Sequence, residues 1–372
     1  MNEFLYFDHN ATTPLHPEVR AQMIEAMDDG WGNPSSTHAV GRRARAIVDR
    51  AREEVAQLIG ARPEEMTFTS GGTEANNLAV IGGLAARGGT LILSPVEHPA
   101  VAAPASQIEE EGRGVRRLAM GPDGRVEVPS RLLGVGLVSV MHANNETGVL
   151  QPIEALSSLA RGAGALMHTD AAQTVGKVPV DVGVLGVDLL TLAGHKLYGP
   201  KGVGALYIRN GVMLRPVIRG AGHERGLRPG TENVVGIAGL GAACRVAQAG
   251  LAERRARVQS LRDQLEARLT EAVHGLVVHG RDAPRLPNTA SVAFPGVRGP
   301  ALLEALPSLA ASTGSACHEG AVTPSGVLTA MGVDEDTALG TVRLSLGSET
   351  RAAQVEDAAE RLIGAWRALR AP

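Results

Sequence analysis

The pattern that most constrains this chain is a series of apolar runs, each of strand length and each ending in polar residues. TLILSPVEHPAV ends at Glu97 and His98, and GLVSVMHANNETGVL at Asn144, Asn145, Glu146 and Thr147. ALMHTDAAQ ends at Asp170 and Gln173, and VDLLTLAGHK at Lys196. Near-continuous Val, Ile and Leu without strict alternation suits strands covered on both faces, as in a parallel sheet between helices. In open sheets of that kind, ligands bind along the carboxyl edge of the strands. One His or Asp at a strand end is usually a cap, but four such ends converging predict a site. MTFTSGGTEANNLAV adds a strand, a glycine loop and a helix start. Glycines let a ligand approach the backbone, and the first helical N–H groups attract an anion such as a phosphate ester. The loop is neither a Walker A sequence nor a complete GxGxxG, so no nucleotide is implied.

The choice of basic residues narrows the chemistry. Of 36 basic side chains only three are lysines, Lys177, Lys196 and Lys201. Arginine stays protonated, whereas a desolvated lysine can lose its charge and act as a nucleophilic amine. Lys196 follows His195 at the centre of DLLTLAGHKLYGPKGVG. An amine, a carboxylate, an imidazole able to stack, a phosphate cradle and amide donors together suit pyridoxal 5'-phosphate. In that reading Asp170 faces the pyridine nitrogen, Gln173 the ring hydroxyl and His98 the ring face.

Composition removes other classes. A net charge of -3 gives no basic footprint for nucleic acid, and 2% aromatic residues leave little for base stacking. Two distant cysteines, Cys244 and Cys317, with no CxxC, predict neither a disulfide framework nor a metal site. MNEFLYFDHN lacks a basic leader and a long apolar run, and no stretch approaches membrane-spanning length, so a cytoplasmic protein is expected. FLYFDHNATTPLHP reads as a short strand and then a loop crowded with Asp8, Asn10, Thr12 and Thr13. Ser35, Ser36 and Thr37 are cap candidates for a helix ending near Gly60. From about Leu251 a long charged helix, the strand candidates LVVHG and TASVAF, and a closing helix predict a smaller α/β domain. The expected division is a large domain over 14–250 and a small one formed by 1–13 and 251–372.

The stretches FDHNATTPLHP, GNPSSTH, FTSGGTEANN, EHPAV, NNETGVLQP, HTDAAQTVGK, GHKLYGPKGVGALY, ERGLRPGTEN, STGSACHEG and VRLSLG run in order from residue 7 to residue 347. In them the chain resembles a cysteine desulfurase of the NifS/IscS type, within the class-V aminotransferase group of fold-type I pyridoxal phosphate enzymes. The resemblance implies a large, mainly parallel seven-stranded sheet domain and a smaller α/β domain. It implies an enzyme that turns L-cysteine into L-alanine and a Cys317 persulfide, which a scaffold or sulfur-carrier protein then receives. Lys196 would hold the cofactor covalently and move the Cα proton, with His98 assisting. Gly72, Thr73 and His195 would meet the phosphate, and Thr231 would reach it from the second subunit of a homodimer. Asp170 and Gln173 would hold the ring, and Asn145 and Arg343 the substrate's carboxylate. Cys317 lies among small residues, Gly and Pro, which predicts a mobile loop, and His318 stands beside it. Cys244, in the apolar run VVGIAGLGAACRVA, reads as a helix core residue.

Several positions depart from the family pattern. Ala193 stands where a phosphate-binding serine is usual, Pro229 where RSGT has serine, and Ser348 where an arginine follows SLG. Gly326 and His9 also differ. None removes a catalytic group. The rival of the same fold is a selenocysteine lyase or another C–S lyase, against which the Cys317 segment argues. A non-catalytic scaffold is disfavoured by intact Lys196, Asp170, His98 and Cys317.

Overall fold

The apolar runs form the strands expected of them. A computed structural model describes residues 4–314, 316–318 and 321–370. Its large sheet has seven strands in the spatial order Met66–Thr69, Gly204–Ile208, Leu189–Ala193, Leu166–Asp170, Val135–Ser139, Thr90–Leu93, Val115–Arg117. Gly204–Ile208 runs antiparallel to both neighbours, and the other pairs are parallel. Side chains alternate between two apolar layers, as the two-residue period of a strand requires. Leu91, Leu93, Leu137 and Leu206 face the layer containing Leu78, Leu84, Val101 and Ile108. Ile92, Val138, Ala205 and Tyr207 face the opposite layer, with Val48, Val55, Leu156 and Leu240. Burial on both faces explains why strands such as Thr90–Leu93, Val135–Ser139 and Gly204–Ile208 carry no polar stripe.

A second apolar core lies apart from the sheet. Thr341–Ser345, Thr289–Ala293 and Val277–Val278 form a three-stranded antiparallel sheet in that order. The helices Leu251–Ala272 and Ala352–Arg370 cover it through Leu261, Leu265, Leu269, Leu362 and Trp366. Leu5 and Phe7 belong to this core, because Leu5–Tyr6 pairs in parallel with Leu309–Ala310 and Asp8 bridges Ser345. The next residues cross to the edge of the large sheet, which carries Asn10 to the site described below.

Two local expectations change. The helix after GNPSSTH spans Ala39–Leu58 and is capped by His38, whose Nδ1 accepts from Gly41 N at 3.2 Å, rather than by Ser35, Ser36 or Thr37. Asn33 takes the Ser35 and Ser36 amides into a turn of its own, so the helix starts later. Around Cys317, Ala316–His318 pairs antiparallel with Ala321–Thr323, giving backbone strands where composition predicted a loop. Val322 and Thr323 favour extended backbone, which outweighs the flanking Gly and Pro. The side chains of Cys317 and His318 lie outside the described residues. Cys244 is buried in the helix Val234–Gln248, and burial pushes its thiol pKa up. No single helix among the described residues is long and apolar enough to cross a membrane.

Candidate active site

The carboxyl ends of the central strands open on a cleft of about 470 Å3. Its wall contains Gly72, Thr73, His98, Asn145, Asp170, Gln173, His195, Lys196 and Arg343. These residues come from separate strand ends and, for Arg343, from the Thr341–Ser345 strand of the second core.

Lys196 ends the turn Gly194–Lys196 that follows the strand Leu189–Ala193. The chain then reverses at Tyr198, a non-glycine residue at φ 64 held by a bond from its N–H to Thr13 Oγ1 at 2.7 Å. Lys196 Nζ donates to Asn10 O at 2.6 Å and to Ala11 O at 2.9 Å. Burial, reinforced by the Arg343 charge, brings its pKa down to about 8 against the opposing pull of Asp170 and Asp8. Carbonyl partners stabilise an ammonium less than a carboxylate would, so the amine is poised to lose its proton.

Asp170 ends its strand with both carboxylate oxygens directed. Oδ2 accepts from Asn76 Nδ2 at 2.7 Å and Oδ1 from Ala172 N at 2.9 Å. His98 caps the helix Pro99–Glu110, with Nδ1 accepting from Ala100 N at 3.1 Å, so the neutral ring carries its proton on Nε2. Burial lowers its pKa, Asp170 opposing and Lys196 adding to the effect. His195 bonds Thr12 Oγ1 through Nδ1 at 3.2 Å, and burial with nearby Lys196 lowers its pKa to about 4.

The glycine loop forms one end of the cleft. Gly71 precedes the helix at φ 152, and no side chain caps that helix end. The helix Gly72–Asn77 continues through Leu78–Gly82 into Gly83–Arg87. Gly204 allows this loop to lie on the sheet, since a Cβ there would stand 2.8 Å from the Gly71 carbonyl carbon. A Cβ placed on Gly72 would meet Ala193 Cβ at 3.5 Å, so Ala193 lies where a serine would face the same loop.

Arg343 is 8% exposed and donates through Nη2 to Asp8 Oδ1 at 2.6 Å and through Nη1 to Asn145 O at 3.0 Å. Its buried Nε has no acceptor. A guanidinium in the wall of a cleft has the planar fork that suits a carboxylate.

A model of the class-V aminotransferases matches residues 5–357. The cysteine desulfurase of Gluconacetobacter diazotrophicus is 44% identical over 363 residues, which are 95% of this chain and 90% of that one. A NifS-like protein of known structure superposes with a TM-score of 0.89 at 36% identity, covering 97% of this chain and 98% of its own. A structure described as SspA in complex with cysteine gives 0.80 at 35% identity, covering 92% and 98%. The chain belongs to the cysteine desulfurase family.

Within this family member, two expected residues sit differently from the rest. Thr231 is exposed and does not line the cleft. Gln173 lines it, but its Nε2 donates to Asn10 O at 3.0 Å and its Oε1 accepts from Lys177 Nζ at 2.8 Å. The sequence alone does not place Asn10, Asn76 and Lys177 in this site. Asn10 O receives both Gln173 and Lys196, and Asn10 Oδ1 receives Lys177 Nζ at 2.9 Å. In sequence Asn10 reads as loop polarity in FDHNATT, and that crowding is the available signal. Asn76 carried a weaker one, one helical turn beyond the glycine loop.

Proposed function

We propose that this protein is a pyridoxal-phosphate-dependent cysteine desulfurase that forms L-alanine and a Cys317 persulfide for an acceptor protein. The observation that carries this reading is the meeting, in the wall of one cleft, of an amine with its pKa near 8 and the Arg343 guanidinium. An amino acid needs both: the amine for its Cα proton, the guanidinium for its carboxylate.

The donor set fits pyridoxal phosphate. Gly72, Thr73 and His195 would hold the phosphate, Asp170 the ring nitrogen and Gln173 the ring oxygen, with His98 against the ring. When bound, the cofactor supplies an electron sink for carbanion chemistry at Cα. Arg343 and Asn145 orient the substrate by its carboxylate. Lys196, less basic than an ordinary lysine, takes the Cα proton near neutral pH and returns one to carbon. The Cys317 thiolate attacks the substrate sulfur; an S–S bond forms, the Cβ–S bond breaks, and its electron pair stays with the Cβ fragment. That carbon is reduced to the methyl of alanine while two thiol sulfurs become a persulfide, so no outside oxidant enters. The exposed position of Thr231 supports a homodimer in which it serves the neighbouring cleft. The acceptor is a scaffold or sulfur-carrier protein, and the enzyme acts in the cytoplasm without touching nucleic acid or membrane.

Brief exposure of the purified enzyme to L-cysteine, followed by intact mass and peptide mapping, tests this. One added sulfur on Cys317 with alanine released is expected. Alanine and free sulfide with Cys317 never modified would replace the desulfurase by the C–S lyase or selenocysteine lyase alternative.

The Lys196 environment gives a pH prediction. Only the neutral amine attacks an aldehyde, so capture of added pyridoxal phosphate by cofactor-free protein should accelerate as pH rises and level off above about 8. Stopped-flow absorbance measures it. A rate still climbing through about pH 10, where an unperturbed lysine titrates, would show that burial does not activate Lys196.

A further inference from the structure

The segment bearing Cys317 is flanked in sequence by Ser312–Gly314 and Ser325, and each flank is held by a different carboxylate beside the carboxylate receptor. On the first stem, Ser312 Oγ donates to Asp8 Oδ1 at 3.1 Å, the oxygen that also receives Arg343 Nη2 at 2.6 Å. The backbones of Ser312 and Arg343 exchange both hydrogen bonds, at 2.7 and 3.2 Å. On the second stem, Ser325 Oγ donates to Glu146 Oε2 at 2.5 Å. Gly314 packs on the same carboxylate, since a Cβ there would collide with Glu146 Oε2. Glu146 is itself fixed, its N–H bonded to Asn144 Oδ1 at 2.9 Å, and it directly follows Asn145, whose carbonyl receives Arg343 Nη1. Ser325 also caps the helix Gly326–Ala330, which anchors through Val327 and Leu328 against Val96 and Met141.

The polar contacts therefore run unbroken from Ser312 through Asp8, Arg343 and Asn145–Glu146 to Ser325. Such a path is costly to leave half-satisfied in a buried setting, so it defines one arrangement of the stems. We propose that Asp8 and Glu146 are positioning residues that fix both stems of the Cys317 segment onto the carboxylate receptor, so that sulfur transfer to Cys317 depends on them and Cα-proton exchange does not. The proposal rests on the desulfurase reading.

Two readouts on the cofactor-loaded enzyme separate positioning from general damage. Exchange of the L-alanine Cα proton in deuterated water, followed by NMR, needs Lys196 and the carboxylate receptor but not Cys317. Persulfide formation in a single turnover, followed by rapid quench and mass, needs Cys317 as well. Glu146→Ala is expected to slow persulfide formation about 10- to 100-fold while exchange stays within about threefold, because small misplacement of a reacting group has effects of that size. Glu146→Gln, which keeps an acceptor for Ser325, should recover most of the loss. Ser312→Ala, a milder change on the other stem, should shift the ratio of the two rates in the same direction. Equal losses in both readouts, or an unchanged ratio in Glu146→Ala and Ser312→Ala, would overturn the proposal. Wild-type enzyme that exchanges alanine but never modifies Cys317 would instead refute the desulfurase reading on which it stands.

Discussion

Lys196→Ala should slow alanine formation from L-cysteine by about 10²–10⁴-fold, the range removed with a positioned general base. The loss should extend to Cα exchange of alanine, which distinguishes it from a change at Cys317. No other amine in the site can substitute. Lys177, the nearest rival, is tied to Asn10 Oδ1 and Gln173 Oε1, and burial lowers its pKa well below the usual lysine value. Small primary amines added to the assay should restore part of the rate, since the variant leaves space where an amine stood. Steady-state alanine production with and without methylamine measures this. A variant keeping more than about a tenth of wild-type turnover would remove Lys196 from the role of base.

Arg343→Ala should raise the KM for L-cysteine about tenfold to a hundredfold, the loss expected for a hydrogen-bonded contact to a charged group. It should also destabilise the fold, which is a separate consequence. The Asp8–Arg343 pair is 2.6 Å long, with side chains 19% and 9% exposed. Removing one partner strands a largely desolvated carboxylate, at a cost of about 3 kcal/mol. Adding Asp8→Asn to Arg343→Ala should recover much of the melting temperature and none of the KM. Arg343→Lys keeps the charge but loses the planar fork, so its KM should fall closer to alanine than to wild type. Parallel thermal melts and initial-rate kinetics on these variants separate the two effects. If the double variant regained KM as well, Arg343 would not be the carboxylate receptor.

Much of the site was legible because its residues sit at strand ends. Asp170, His98, Asn145 and Lys196 each close an apolar run, and a parallel sheet must bring such ends to one edge. The glycine loop was legible for a related reason: two glycines between a strand and a helix have few uses other than a close backbone approach. Departures came where one local contact prevailed over another that the sequence made equally plausible. Ser35, Ser36 and Thr37 have the right chemistry for a cap, yet Asn33 drew the Ser35 and Ser36 amides into a turn and the cap fell to His38. The small residues around Cys317 suggested no regular structure, while pairing of Ala316–His318 with Ala321–Thr323 supplied it.

The sequence alone determined the class of fold, the types of reactive group and the one lysine suited to use. Those follow from periodicity and side-chain chemistry, which are local properties. Only the tertiary structure decided that Asn10, 186 positions from Lys196, holds its amine, and that Asp8 holds Arg343 across 335 positions. It also set the Lys196 pKa near 8. A pKa shift arises from water excluded and charges gathered by packing, and neither exists until the two cores and the N-terminal crossing are in place.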